Sequence, residues 1–248
     1  MRTGQGFLRA IRLMRDRVPT FANYPFSIPA VRALDELELD PKVTFFVGEN
    51  GSGKSTLIEA IAVITGFNRE GGSRNFSFST RPSESVLHQF LRPVRGTGRP
   101  KDGFFLRAES YFTVGSEIER LGVVDSYGGV SPHEQSHGES FLALANYRFR
   151  GNGLYILDEP EAALSPQRQL SLLKIVHDLV DRTRSQFVIA THSPILMAYP
   201  GATIYHLGPE GIRSIAYEDT EHFRITRDFL NGREAFLRHL LGGEGEHQ

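Results

Sequence analysis

The chain has 248 residues, 40% hydrophobic and 23% charged, with a formal net charge of -1 and no cysteine. This length suits one α/β domain, alone or with a small insertion, and allows a sizeable core. The near-neutral balance gives no global basic character for nucleic acid, and the missing cysteines exclude disulfides, thiolate metal sites and cysteine nucleophiles. No apolar run follows Met1-Arg2-Thr3-Gly4-Gln5 or approaches a membrane span in length, so a soluble, cytoplasmic protein is expected.

From residue 7 to 41, aromatics, prolines and alternating apolar positions suggest short strands, including 24–31 and 34–39. Val43-Thr44-Phe45-Phe46-Val47 is an apolar, β-rich run of strand length, and 57–67 reads as a helix. Residues 68–85, rich in Gly, Ser, Arg and Asn, read as a surface loop. A short helix is expected at 86–91, a loop at 94–102, strand character at 104–112 and a glycine-rich loop at 125–134. A helix over 139–149 precedes the buried-type strand 154–157. Ser165 is a suitable N-cap and Pro166 a suitable first residue for a helix to about 183, with Leu170, Leu173, Val176 and Val180 on one face. An apolar strand at 186–191, a hairpin of 203–207 and 212–217 around Pro209-Glu210-Gly211, and one or two helices over 223–241 complete the order. Residues 242–248 read as a disordered tail. An α/β fold is expected, with a mostly parallel central sheet flanked by helices and an antiparallel β portion at the N-terminus.

The chemistry is concentrated at three strand ends. Gly48-Glu49-Asn50-Gly51-Ser52-Gly53-Lys54-Ser55-Thr56 fits the phosphate-loop pattern G-x-x-x-x-G-K-[ST], with a strand before it and a helix after it. Backbone N–H groups of such a loop converge on an anion at a helix N-terminus. Lys54 would reach the β- and γ-phosphates and the Ser55 hydroxyl would sit on Mg²⁺. Ile156-Leu157-Asp158-Glu159-Pro160 has the form of a Walker B strand: Asp158 can hold Mg²⁺ through water, and Glu159 can polarise an attacking water. Thr191-His192-Ser193 ends the next apolar strand, where a histidine could hydrogen-bond a γ-phosphate. Plainer readings of these segments are a Gly-Ser loop, an acidic strand cap and a capping histidine. The loop residues His133, Glu134, His137 and Glu139 could bind zinc, against the plainer reading of a polar loop.

Taken with Ala163-Leu164-Ser165-Pro166, these motifs resemble ABC-type ATPases, from transporter subunits to SMC/Rad50-like soluble ATPases, over about 25–206; the 47–56 loop, Arg107-Ala108-Glu109-Ser110 and Ser136-His137-Gly138-Glu139-Ser140, extending into Phe229-Leu230-Asn231, also resemble small stand-alone ATPases of this class. The resemblance implies an ATP-hydrolysing P-loop NTPase with an ABC-type core. Residues 1–248 would form one domain, with a small insertion at about 68–138. It implies that Ala163–Pro166 is the D-loop and His192 the switch histidine. Ser136-His137-Gly138-Glu139 aligns with the family signature, His137 replacing its first glycine, so Ser136 and Gly138 would contact the γ-phosphate held by a partner subunit. Glu109 or Gln89 could stand in the Q-loop, where Glu109 would reach Mg²⁺ through water, and Tyr24 or Phe26 could stack on adenine. The partners implied are ATP, Mg²⁺ and a second copy in an ATP-dependent homodimer. The alternatives are a transporter's nucleotide-binding subunit, or a RecF-like nucleic-acid ATPase using Arg69, Arg74, Arg81, Arg92, Arg95 and Arg99 against phosphates.

Overall fold

The computed structural model describes residues 6–73, 85–109, 111–122, 124–127 and 129–241. In chain order the strands and helices are β1 Leu8–Leu13, α1 Pro29–Arg32, β2 Glu36–Glu38, β3 Val43–Val47, α2 Lys54–Ile64, β4 Leu91–Arg95, β5 Asp102–Arg107, α3 Tyr111–Arg120 and α4 His137–Arg148. They continue as β6 Gly153–Asp158, α5 Pro166–Arg182, β7 Gln186–Ala190, α6 Pro194–Met197, β8 Thr203–Gly208, β9 Gly211–Ile215, α7 Glu221–Asn231 and α8 Arg233–Leu241.

Two sheets form. The larger runs β5-β6-β7-β3-β8-β9, parallel except for the β8–β9 hairpin, and the smaller is antiparallel in the order β2-β1-β4. Every residue of β3, β6 and β7 is buried, as expected for parallel strands covered on both faces. Alternate side chains go to opposite faces. Phe45, Tyr155, Leu157, Phe187 and Ile189 join one core with α3, α4 and α5. Phe46, Ile156, Val188 and Ala190 join the other with α2 and the small sheet. Buried Gln186 ties the sheets together: its amide oxygen accepts from Leu8 N–H at 2.9 Å, and its amide nitrogen donates to Leu8 O at 2.7 Å and Asp40 O at 2.9 Å.

Several sequence expectations are corrected. Residues 24–31 form no strand; α1 begins at Pro29, and Phe26 packs edge-on against Phe90 in the core. Pro25 and Pro29 have no N–H to give a ladder. Part of the loop expected at 94–102 is strand: β4 lies at the edge of the small sheet, where Pro93 is tolerated. The strand expected over 104–112 ends at Arg107, and the unforeseen helix α3 starts at Tyr111. The short helix at 86–91 is a 3₁₀ turn, Leu87–Phe90, running into β4. The buried stripe of α5 is Gln169, Leu172, Val176 and Val180, while Leu170 is exposed. Gln169 takes the inward place because its amide is satisfied there, donating to Leu164 O at 3.0 Å and accepting from Ser193 Oγ at 2.5 Å. The expected tail at 242–248 lies outside the described residues.

Candidate nucleotide site

Parallel register brings the three motifs to one level at the C-terminal edge of the large sheet, where open α/β sheets bind ligands. Phe46 of β3 and Asp158 of β6 both stand beside Ala190 of β7. The loop after β3, the Asp158-Glu159 pair and Thr191-His192 therefore emerge side by side.

The phosphate loop needs its glycines. Gly48 has φ +147°, and a Cβ there would lie 2.2 Å from Leu207 O. Gly53 caps α2 at φ +97°, and a Cβ would meet Ile28 Cγ2 at 2.6 Å. Buried Lys54 donates from Nζ to Gly48 O and Glu49 O, both at 3.0 Å. Burial pulls its pKa down, opposed by Glu159, Asp158 and Glu161. Ser52 Oγ is buried without a hydrogen-bond partner among the described residues. A buried cation, an unsatisfied hydroxyl and a helix N-terminus together suit an anion.

Asp158 is buried at the end of β6, and Ser55 Oγ donates to its Oδ1 at 3.2 Å. Desolvation pushes this carboxyl up to about 6 despite the opposing pull of Arg107. Sequence reasoning gave Arg107 no role in the site. Its Nε lies 3.3 Å from Asp158 Oδ2, its Nη1 donates to Glu59 Oε2 at 2.9 Å, and its Nη2 lies 3.6 Å from Glu109 Oε2. A buried carboxylate that attracts a guanidinium and a serine hydroxyl fits a hard divalent cation with oxygen ligands, so Ser55 and Asp158 could hold Mg²⁺.

Glu159 adopts a left-handed backbone, φ 49° and ψ 50°, uncommon for a residue other than glycine. Its N–H donates to Ala190 O at 2.9 Å. Its Oε1 lies 3.3 Å from His192 Nε2. The His192 backbone N–H donates to Glu161 Oε1 at 2.5 Å, and His192 Nδ1 is 2.9 Å from Nε2 of His222 on α7. Glu161 and His222 were also unforeseen. Glu161 follows Asp158 by only three residues, a local signal; His222 is thirty residues from His192 and had none.

A cavity of about 510 Å³ unites Asn50, Gly51, Ser55, Asp158 and Glu159 with Arg107, Glu109 and His137. Glu109 is largely exposed on its wall; the alternative, Gln89, sits in the Leu87–Phe90 turn and is not among the lining residues. Tyr24 is half exposed, with its hydroxyl 3.3 Å from Thr56 Oγ1, whereas buried Phe26 serves the core. Ser136 caps α4 in a capping box with Glu139, and Arg168 reaches both, at 3.4 Å from Ser136 Oγ and 3.0 Å from Glu139 Oε1. Gly138 packs so closely on the start of α5 that a Cβ would lie 2.7 Å from Arg168 Nη1 and 3.0 Å from Ala163 O. Ser136 and Gly138 are not among the residues lining the cavity, whose wall is reached by His137. No group of three or more potential metal-ligating side chains forms among the described residues, which includes the loop of His133 and Glu134. Arg92 and Arg95 are exposed on β4, with Arg99 exposed beyond it; Arg69 is half-buried, and Arg74 and Arg81 lie outside the described residues. No described helix is long and apolar enough to cross a membrane.

The chain is similar to known proteins in sequence and in fold. The model "AAA domain" matches residues 27–105, and the model "AAA domain, putative AbiEii toxin, Type IV TA system" matches 108–198. The thiamine import ATP-binding protein ThiQ of Cereibacter sphaeroides is 30% identical over 163 residues, covering 60% of this chain and 69% of that protein. The tungstate uptake system ATP-binding protein TupC of Campylobacter jejuni is 22% identical over 230 residues, covering 80% of this chain and 68% of that protein. Among solved structures, cbiO1 from Clostridium perfringens, part of the ABC transporter complex cbiONQ, shares the fold with a TM-score of 0.53 at 16% identity, covering 96% of this chain and 100% of that one. A glycine cradle around Lys54, a buried Asp158 beside Ser55 and this relationship lead to one conclusion: the chain belongs to the ABC-type P-loop ATPases.

Proposed function

We propose that this ATPase works as an ATP-dependent homodimer, two copies sandwiching two nucleotides head to tail. The observation that carries the catalytic part is the pairing at 3.3 Å of Glu159 with His192, one residue beyond an Asp158 bonded to Ser55. Lys54 would turn from Gly48 O and Glu49 O to the β- and γ-phosphates, and the loop N–H groups would hold the phosphate oxygens. Mg²⁺, held by Ser55 and Asp158 with Glu109 in reach through water, would neutralise charge on the phosphates. Glu159 would orient the attacking water and take its proton as oxygen bonds to the γ-phosphorus and the bond to the β–γ bridging oxygen breaks. His192 would donate from Nε2 to a γ-phosphate oxygen. Tyr24 would lie against the nucleoside. Ser136 and Gly138, away from the cavity of their own subunit, would complete the site of the other subunit. Residues 1–248 would act as one ATPase domain, on the cytoplasmic side.

The test is the solution mass of Glu159→Gln by light scattering, with ATP–Mg²⁺ and with ADP–Mg²⁺. A dimer with ATP alone and no turnover is expected. A monomer under both conditions overturns the homodimer, and wild-type turnover overturns the role of Glu159. A second reading, as the nucleotide-binding subunit of a transporter, draws on the import ATP-binding proteins among the relatives. Co-purification of a multispan membrane protein with the ATP-locked variant would favour it.

A further inference from the structure

We propose that His222 is a positioning residue for ATP hydrolysis, fixing the tautomer and ring orientation of His192 from the first turn of α7. The inference rests on the reading of His192 given above. His192 Nε2 is buried, lies 3.3 Å from Glu159 Oε1 and finds no hydrogen-bond partner among the described residues. Both groups that Nε2 would meet in a loaded site, a carboxylate and a phosphate oxygen, only accept hydrogen bonds. Nε2 must therefore carry the hydrogen, which leaves Nδ1 of a neutral His192 as a bare acceptor. A lone imidazole divides its hydrogen between the two nitrogens, and the partner of one nitrogen decides the other. His222 Nε2, 2.9 Å from His192 Nδ1, is that partner when it carries its own hydrogen. The rings meet edge to face, their centroids 5.0 Å apart.

The charged and titratable groups around His222 are His192, Lys54, Glu221 and His206. Burial first, then His192 and Lys54, pulls its pKa below the usual value, which favours the neutral imidazole; in its Nε2–H tautomer that ring donates to His192 Nδ1. The root of α7 is held where this requires. Tyr217, just before the helix, donates from its hydroxyl to Pro194 O at 3.0 Å, and its ring lies 4.5 Å from that of Phe223. Beyond that root α7 buries no residue. The contact with His192 thus joins the nucleotide end of the sheet to a helix that otherwise lies on the surface.

The experiment compares ATP turnover of full-length His222→Phe, His222→Gln, His192→Ala and the double variant His192→Ala/His222→Phe, alongside ¹⁵N NMR of the imidazoles without nucleotide. Phenylalanine keeps the ring and removes the donor; glutamine places an amide N–H near the position of Nε2. His222→Phe should lower kcat about tenfold with KM for ATP held within about twofold, as loss of an orienting partner does. His222→Gln should restore kcat to within about twofold of wild type, and His222→Phe should cost nothing more once His192 is alanine. The spectra should show His192 as the Nε2–H tautomer in wild type and as a mixture in His222→Phe. Equal kcat losses in both backgrounds, or no rescue by glutamine, would overturn the assignment, as would an unchanged His192 tautomer. If His192→Ala is slow and His222→Phe is not, this inference alone fails. If His192→Ala turns over like wild type, the reading of His192 fails and this assignment with it.

Discussion

Replacing Gln186 with leucine tests the joint between the two sheets. Gln186 is fully buried and makes two hydrogen bonds to Leu8 and one to Asp40 O. Leucine fills much the same volume, so the cost comes from polar partners left behind. The Leu8 N–H is then a buried donor without an acceptor, worth about 1–3 kcal/mol, and the two carbonyls each lose about 0.5–1 kcal/mol. The sum, about 2–5 kcal/mol, is a large share of the ~5–15 kcal/mol that holds a typical domain together. At ~2–4 °C per kcal/mol for a chain of this size, the thermal midpoint should fall by roughly 10 °C. Thermal and urea unfolding followed by circular dichroism would measure it, the urea slope serving to check that the unfolded states match. Gln186→Glu should be worse than leucine, because it presents a carboxylate oxygen to the carbonyls of Leu8 and Asp40 in a fully buried site. A loss below about 1 kcal/mol for leucine, or a milder effect for glutamate, would refute the reasoning, since neither fits an orphaned buried donor.

Gly48→Ala should abolish ATP binding and destabilise the fold by more than about 2 kcal/mol, since a Cβ would lie 2.2 Å from the Leu207 carbonyl oxygen at φ +147°. Titration with a fluorescent ATP analogue checks the first, and wild-type affinity would refute the crowding argument. Asp158→Asn should stabilise the nucleotide-free protein by about 3 kcal/mol at pH 7.5. Burial raises this carboxyl from its ordinary 3.8 to about 6, so the folded state holds its proton more tightly than the unfolded chain. Stability is therefore lost as pH rises from about 4 to 6, and the gain from asparagine should shrink to about half by pH 5. Unfolding curves at the two pH values check it; a gain independent of pH would contradict the burial argument.

The candidate nucleotide cradle was legible because its chemistry is local. Gly48 to Thr56 are consecutive, and Asp158 and Glu159 end an apolar run whose strand character follows from its own residues. His192 was legible for the same reason, as a polar residue closing the next apolar run. The alternation of strand and helix pointed to a parallel sheet, and parallel register then brings those strand ends together.

What the sequence determined by itself was thus the ATPase family, the sheet class and the candidate residues that meet at the C-terminal edge of the large sheet. Tertiary structure decided the pairings across long stretches of chain. Arg107 meets Glu59 and Asp158 because β5 lies beside β6 and near α2. His222 meets His192 because the chain after β9 returns to the nucleotide edge. Gln169 faces inward and Leu170 outward, against hydrophobicity, because buried partners wait for an amide. Pattern reading ranks each residue by its own polarity and spacing. Whether a buried amide, guanidinium or imidazole is stable depends on a hydrogen-bond partner that folding supplies from elsewhere in the chain, and that partner is absent from any local window of sequence.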